Sequence, residues 1–137
     1  MISDVENNYT FETLDLLSQI QVNFPRIEFK KIEELKQLDP TLEVFSKLVH
    51  IFYVEVSGRI PEMKNYCDSH NYENLSRVIH RFKSTAYNLG ASRAVEFMAH
   101  IEKVILRAGR ELEIKLWIMA LEKECHETYQ NLLKLNR

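Results

Sequence analysis

Apolar residues recur at intervals of three and four along almost the whole of this chain, and that spacing is the period of a helix rather than a strand. Leu42, Phe45, Leu48, Val49, Phe52 and Val56 fall on one helical face. So do Leu75, Val78, Ile79, Phe82, Ala86 and Leu89, then Ala94, Met98, Ile101 and Ile105, then Ile114, Trp117, Ile118, Leu121, Cys125 and Leu132. Three glycines and three prolines among 137 residues supply too few turns for a strand-rich domain. A hydrophobic share of 45% and a charged share of 28% fit a globular chain. Its length predicts a single domain with a core that needs no staples.

The punctuation divides the pattern into elements. Residues 1–9 are polar and are expected to fray. A first helix is predicted from Thr10, with Phe11, Leu14, Leu17 and Ile20 inward, and Phe24-Pro25 should end it. A short second helix over 29–37 turns Ile32 and Leu35 inward. Asp39-Pro40 reads as the start of the third, with Asp capping and Pro in the first turn. Gly58 and Pro61 predict a kink rather than a stop, because Ile60, Met63 and Tyr66 resume the stripe. Asp68 to Asn71 is a polar turn with Asn71 as the next cap, and Gly90 ends the helix from Tyr72 to Leu89. Further helices are expected over 92–107 and 111–134, separated at Ala108-Gly109. Four long helices with short turns predict an all-α, antiparallel up-and-down four-helix bundle, with one or two extra N-terminal helices flanking or capping it.

Several functions are disfavoured at this level. A net charge of −2 offers no basic field for nucleic acid. Cys67 and Cys125 form no CxxC and are predicted to be buried or half-buried thiols in a reducing compartment. The acidic start Met1 to Glu6 does not resemble a signal peptide, and the run Leu116 to Leu121 is too short for a bilayer, so a cytoplasmic location is expected. His50, His70, His100 and His126 lack partners at ligand spacing and are predicted to be surface or half-buried. His100 and Glu102 make no metal motif. No metal or cofactor is expected on this chain.

The helix from Tyr72 carries the chemistry. Its apolar residues gather on one side, and Glu73, Ser76, His80, Lys83, Ser84 and Tyr87 gather on the other. His80 is therefore predicted to point to solvent, with Lys83 and Ser84 one turn along on its own face. A lone surface histidine usually does nothing, and the pattern alone leaves that reading open. An exposed imidazole is nevertheless a good nucleophile near neutral pH. An ammonium beside it could pair with an incoming phosphoryl group, and a small residue lets a partner approach.

The stretch from His80 through Lys83-Ser84 to Leu89-Gly90-Ala91 resembles the signature of histidine-containing phosphotransfer (HPt) domains: His-x-x-Lys-Gly, small residues, then Leu-Gly. Asn71-Tyr72-Glu73, Ile101-Glu102 and the proline-bearing helix from Leu42 to Met63 also resemble that family. The resemblance covers about residues 27–134. It implies an HPt bundle over 27–137, preceded by an unmatched extension over 1–26. It implies that His80 is phosphorylated on Nε2 and that Lys83 steadies the phosphoryl group. Glu102 falls where relatives hydrogen-bond the histidine. It either holds Nδ1–H of His80 or is a solvated carboxylate. Position 84 departs from the family, having Ser for Gly, which implies slower or more selective docking.

The resemblance implies a stoichiometric carrier rather than an ATP-using kinase. It would accept phosphate from one receiver-domain aspartate and pass it to another, with Mg²⁺ on the receiver. Expected partners are response-regulator receivers and a hybrid sensor histidine kinase, with no nucleic acid and no membrane insertion. Arg77, Arg81, Ser84 and Tyr87 are the expected docking residues. Arg77, Arg81, Lys83 and Arg93 could form a basic rim, or be scattered surface charge. Two rivals are a binder of receivers or kinases that takes no phosphate, acting as inhibitor or adaptor, and a purely structural bundle.

Overall fold

The computed structural model describes residues 4–107 and 111–136, of residues 4–11 the backbone alone, and among them it is all-helical. Six helices follow one another: α1 (Asp4–Asn23), α2 (Phe29–Leu38), α3 (Glu43–Asp68), α4 (Tyr72–Asn88), α5 (Ser92–Leu106) and α6 (Glu111–Leu135). The expected inward placement of Phe11 and the break at Ala108-Gly109 lie outside the described residues.

Two boundaries differ from expectation. α1 reaches back to Asp4 instead of starting at Thr10. Acidic Asp4 and Glu6 at its start suit the positive end of the helix dipole, so a polar segment can be helical without an apolar stripe. α3 starts at Glu43, not at Asp39-Pro40, because Leu42 takes a left-handed conformation, φ 64°. Asp39 instead closes α2, its N–H donating to the Leu35 carbonyl. Its carboxylate still caps α3 from outside, accepting the Val44 N–H at 3.0 Å and the Thr41 N–H at 3.1 Å. The Thr41 hydroxyl, then the Val44 amide, hold the Asp39 carboxyl below its usual range.

Within α1, Leu14, expected inward, is 54% exposed, and Thr13 beside it is buried instead; the remaining elements follow the pattern. α3 runs unbroken through Gly58 and Pro61, burying Phe45, Val49, Phe52, Val56, Ile60, Met63 and Cys67. α3 packs on α4 and α6, and α5 packs on the same two, so the four long helices close a ring around one core. Phe52 meets Phe82 with ring centroids 6.0 Å apart, and Phe97 meets Trp117 edge to face at 5.6 Å. Both cysteines are buried and free, and burial raises the pKa of both thiols.

α1 lies against α5 and α6, and α2 against α3. The end of α1 is tied down by Arg93, which donates to the carbonyls of Phe24 and Gln21, each at 3.0 Å. Arg26, between α1 and α2, donates to the buried Glu124 carboxylate at 2.8 Å and also pairs with Glu127. α2 is anchored to the end of α6 by Lys36 Nζ, which donates to the Leu135 carbonyl at 2.9 Å. It is anchored to the turn after α4 by the Glu28 N–H, which donates to the Gly90 carbonyl at 2.7 Å.

Candidate functional site

α4 is oriented by one strongly apolar side. Leu75, Ile79, Phe82 and Ala86 are fully buried and Val78 nearly so, which turns the opposite side outward. Asn71 caps its start, its side-chain oxygen accepting the Asn74 N–H at 3.4 Å. Gly90 ends it at φ +71°, where a side chain would crowd Glu28 and Lys31. His80, Ser84 and Tyr87 are exposed on that outer side, and Ser76 and Lys83 are partly so.

His80 lines a shallow cleft of about 350 Å³ with Ser76, Arg77, Arg81 and, from α5, Glu102. Among the described residues no side chain hydrogen-bonds the imidazole, so both ring nitrogens are available. Of the two roles open to Glu102, the bond to His80 Nδ1–H is not formed. Glu102 Oε1 instead accepts from Lys83 Nζ at 2.5 Å, with the two side chains 26% and 28% exposed. The physical reason is that the Lys83 ammonium brings a full opposite charge to the Glu102 carboxylate along with its donors.

The expected basic rim is only partly assembled. Arg81 is exposed beside His80. Arg77 is paired with Glu73 on its own helix at 2.8 Å. Arg93 is not in the rim at all. It turns away to cap α1, because two backbone carbonyls at the end of that helix need donors. The Ser84 hydroxyl folds back along its own helix and lies 3.5 Å from the His80 carbonyl.

The outer face extends further than α4. A second cleft of about 390 Å³ is lined by Lys83, Ser84, Tyr87, Asn88 and Val95. Lys31 of α2 lies over the Tyr87 ring at 5.0 Å, a cation–π contact. Sequence reasoning missed Val95 and Lys31. Val95 had a usable signal, since it precedes Glu102 by two helical turns and so shares its face. Lys31 had none, because its position depends on how α2 folds over the turn at Gly90.

His50, His70 and His126 are exposed. His100 corrects the expectation for the remaining histidines: it is buried, 8% exposed, with its ring 4.3 Å from that of Trp117 and Nε2 4.0 Å from Glu113. Burial, more than any neighbour, lowers its pKa. Among the described residues no group of His, Cys, Asp and Glu could hold a metal ion, and no helix is long and apolar enough to cross a membrane.

A solvent-facing imidazole on a rigid helix, with a lysine one turn along, can take a phosphoryl group and present it to a partner. No curated protein and no solved structure matches the chain. A family model described as "Hpt domain" matches residues 47–134, which span most of α3 and every site residue on α4 and α5. The chain therefore belongs to the Hpt domain family, modules that carry a phosphoryl group on histidine in two-component phosphorelays and are not themselves kinases.

Proposed function

We propose that His80 is the phosphoacceptor of a phosphorelay intermediate, taking the phosphoryl group from a receiver-domain aspartate and passing it to the aspartate of a second receiver. The observation that carries this is the exposed His80 imidazole with Lys83 one turn along on the same face. Its Nε2 lone pair forms the new N–P bond as the aspartyl O–P bond breaks, and the electron pair leaves with the aspartate. The receiver supplies the Mg²⁺ that such a transfer needs.

In this reading Lys83 steadies the phosphoryl oxygens, and Glu102 acts on Lys83. Arg77, Arg81, Ser84 and Tyr87 meet the incoming receiver, and Ser84 restricts how closely it approaches. A hybrid sensor kinase would supply the first receiver, in the cytoplasm. Residues 27–137 form the transfer domain, and residues 1–26 are an extension whose helix α1 packs on the α5–α6 side. Short turns at 69–71 and 89–91 favour an antiparallel up-and-down order for α3 to α6.

The test is incubation with phosphorylated receivers. Wild type should gain an acid-labile, base-stable label, and His80→Gln should gain none. His80 is exposed, so the substitution should change stability by less than about 0.5 kcal/mol. A label that survives His80→Gln would remove the assignment. Receiver binding without any label would favour a phosphate-free binder instead.

A further inference from the structure

The Lys83–Glu102 pair stands where a phosphate-holding cation would have to work. Lys83 shares the outer face of α4 with His80. Glu102 pairs with it from α5 and lines the same cleft as His80. Both side chains are about one quarter exposed, so solvent screens their attraction only in part. A phosphoryl group on His80 would bring two negative charges into a cleft that already holds the Glu102 carboxylate. A cation that balances one carboxylate would be drawn more strongly to a phosphoryl dianion.

We propose that Glu102 is a positioning residue that holds Lys83 in reserve and releases it to the phosphoryl oxygens when His80 is phosphorylated. This rests on the reading of His80 as the phosphoacceptor. The transfer balances without further groups. The aspartyl phosphate carries two negative charges, and after the transfer one remains on the freed aspartate. The ring keeps its Nδ1 proton, so the phosphoimidazolium carries a net charge of minus one. Breaking the Lys83–Glu102 pair takes back part of what the new Lys83–phosphoryl contact gains. Glu102 thereby keeps phospho-His80 from becoming a sink, which a carrier that must pass its cargo on requires.

The experiment uses phosphoramidate as a small chemical donor, so no receiver has to be known. Occupancy of His80 is read as the intact-mass phosphate increment that His80→Gln does not gain, since His50, His70 and His126 are also exposed, at fixed ratios of phosphoramidate to ammonium approached from both directions. Wild type, E102Q, K83M and the double variant are compared, with circular dichroism to verify folding. E102Q should raise the equilibrium constant for phosphorylation roughly two- to fivefold, the range expected for a partly exposed ion pair. K83M should lower it, and E102Q should then have no further effect in the K83M background. If wild type takes no phosphate on His80, the phosphoacceptor reading fails and this inference with it. If wild type is labelled but E102Q is unchanged or lower, only this inference fails. An equal rise in the K83M background would overturn the hand-over in favour of plain charge repulsion by Glu102.

Discussion

Replacing Gly90 with alanine should destabilise the protein far more than its single added methyl suggests. Gly90 has φ +71°, and an alanine there costs about 1–2 kcal/mol in backbone conformation alone. The new Cβ would sit 3.0 Å from Lys31 Cβ and 3.1 Å from the Glu28 carbonyl oxygen. One neighbour is backbone, so α2 must move. That movement loosens the bond from the Glu28 N–H to the Gly90 carbonyl, worth about 1 kcal/mol. The sum is a loss of roughly 2–3 kcal/mol. Gly58→Ala should have the opposite sign, because Gly58 lies inside α3 with nothing within 4 Å of an added Cβ. Alanine there should stabilise by about 0.5–1 kcal/mol. Urea denaturation of the two variants, followed by far-ultraviolet circular dichroism, reads the difference directly. A Gly90→Ala variant within about 0.5 kcal/mol of wild type would refute the account of this turn.

Arg26→Ala should cost about 1–3 kcal/mol. This is less than a fully buried pair, because the Arg26 side chain is 27% exposed while that of Glu124 is 3%. Hydrogen exchange in α1 should rise more than in α3 or α4, and unchanged α1 protection would rule out the pair as its anchor. His100 predicts a loss of stability in mild acid. Its folded pKa is lowered, chiefly by burial, with Arg107 and Lys103 adding to this and Glu113 opposing it. The unfolded chain therefore binds the proton more readily. Stability should be full above the usual histidine range, near 6.5, and should fall as pH drops from there towards the lowered folded value. Denaturation followed by Trp117 fluorescence should show a flatter acid limb in His100→Gln, and an unchanged limb would exclude His100 as the source.

The long helices were legible because each buries a regular stripe, and a stripe is a local property of sequence. α4 was clearest, with its apolar side, its Asn71 cap and its Gly90 stop all readable. What stayed hidden depended on contacts between distant segments. His100 lies between Phe97 and Val104 on a buried part of α5, yet a polar residue there reads as a surface one. Arg93 reads as a free cation until the end of α1 is laid beside it. The α3 boundary was missed because Asp39 caps from outside the helix, which requires Leu42 to take a left-handed conformation that leucine rarely adopts.

The Lys83–Glu102 contact shows the same division between local and distant. Helical period alone puts Lys83 beside His80 and Glu102 beside Val95, but it cannot say that the two meet. Lys83 lies about 7.5 Å before the end of α4 and Glu102 about 15 Å past the start of α5, at about 1.5 Å per residue. Side chains lean towards the N-terminus of their own helix. α5 folds back beside α4 after a turn of residues 89–91, so Lys83 leans away from that turn and Glu102 leans towards it. The opposed leans and two long side chains close the gap that the backbone leaves. The cation near the reactive imidazole is therefore set by the register of two helices, and the turn that joins them contains Gly90, about two turns beyond Lys83, in a left-handed conformation. A change at Gly90 that shifts α5 along α4 should then disturb Lys83 before it disturbs His80, whose own position is fixed by the buried side of α4 alone.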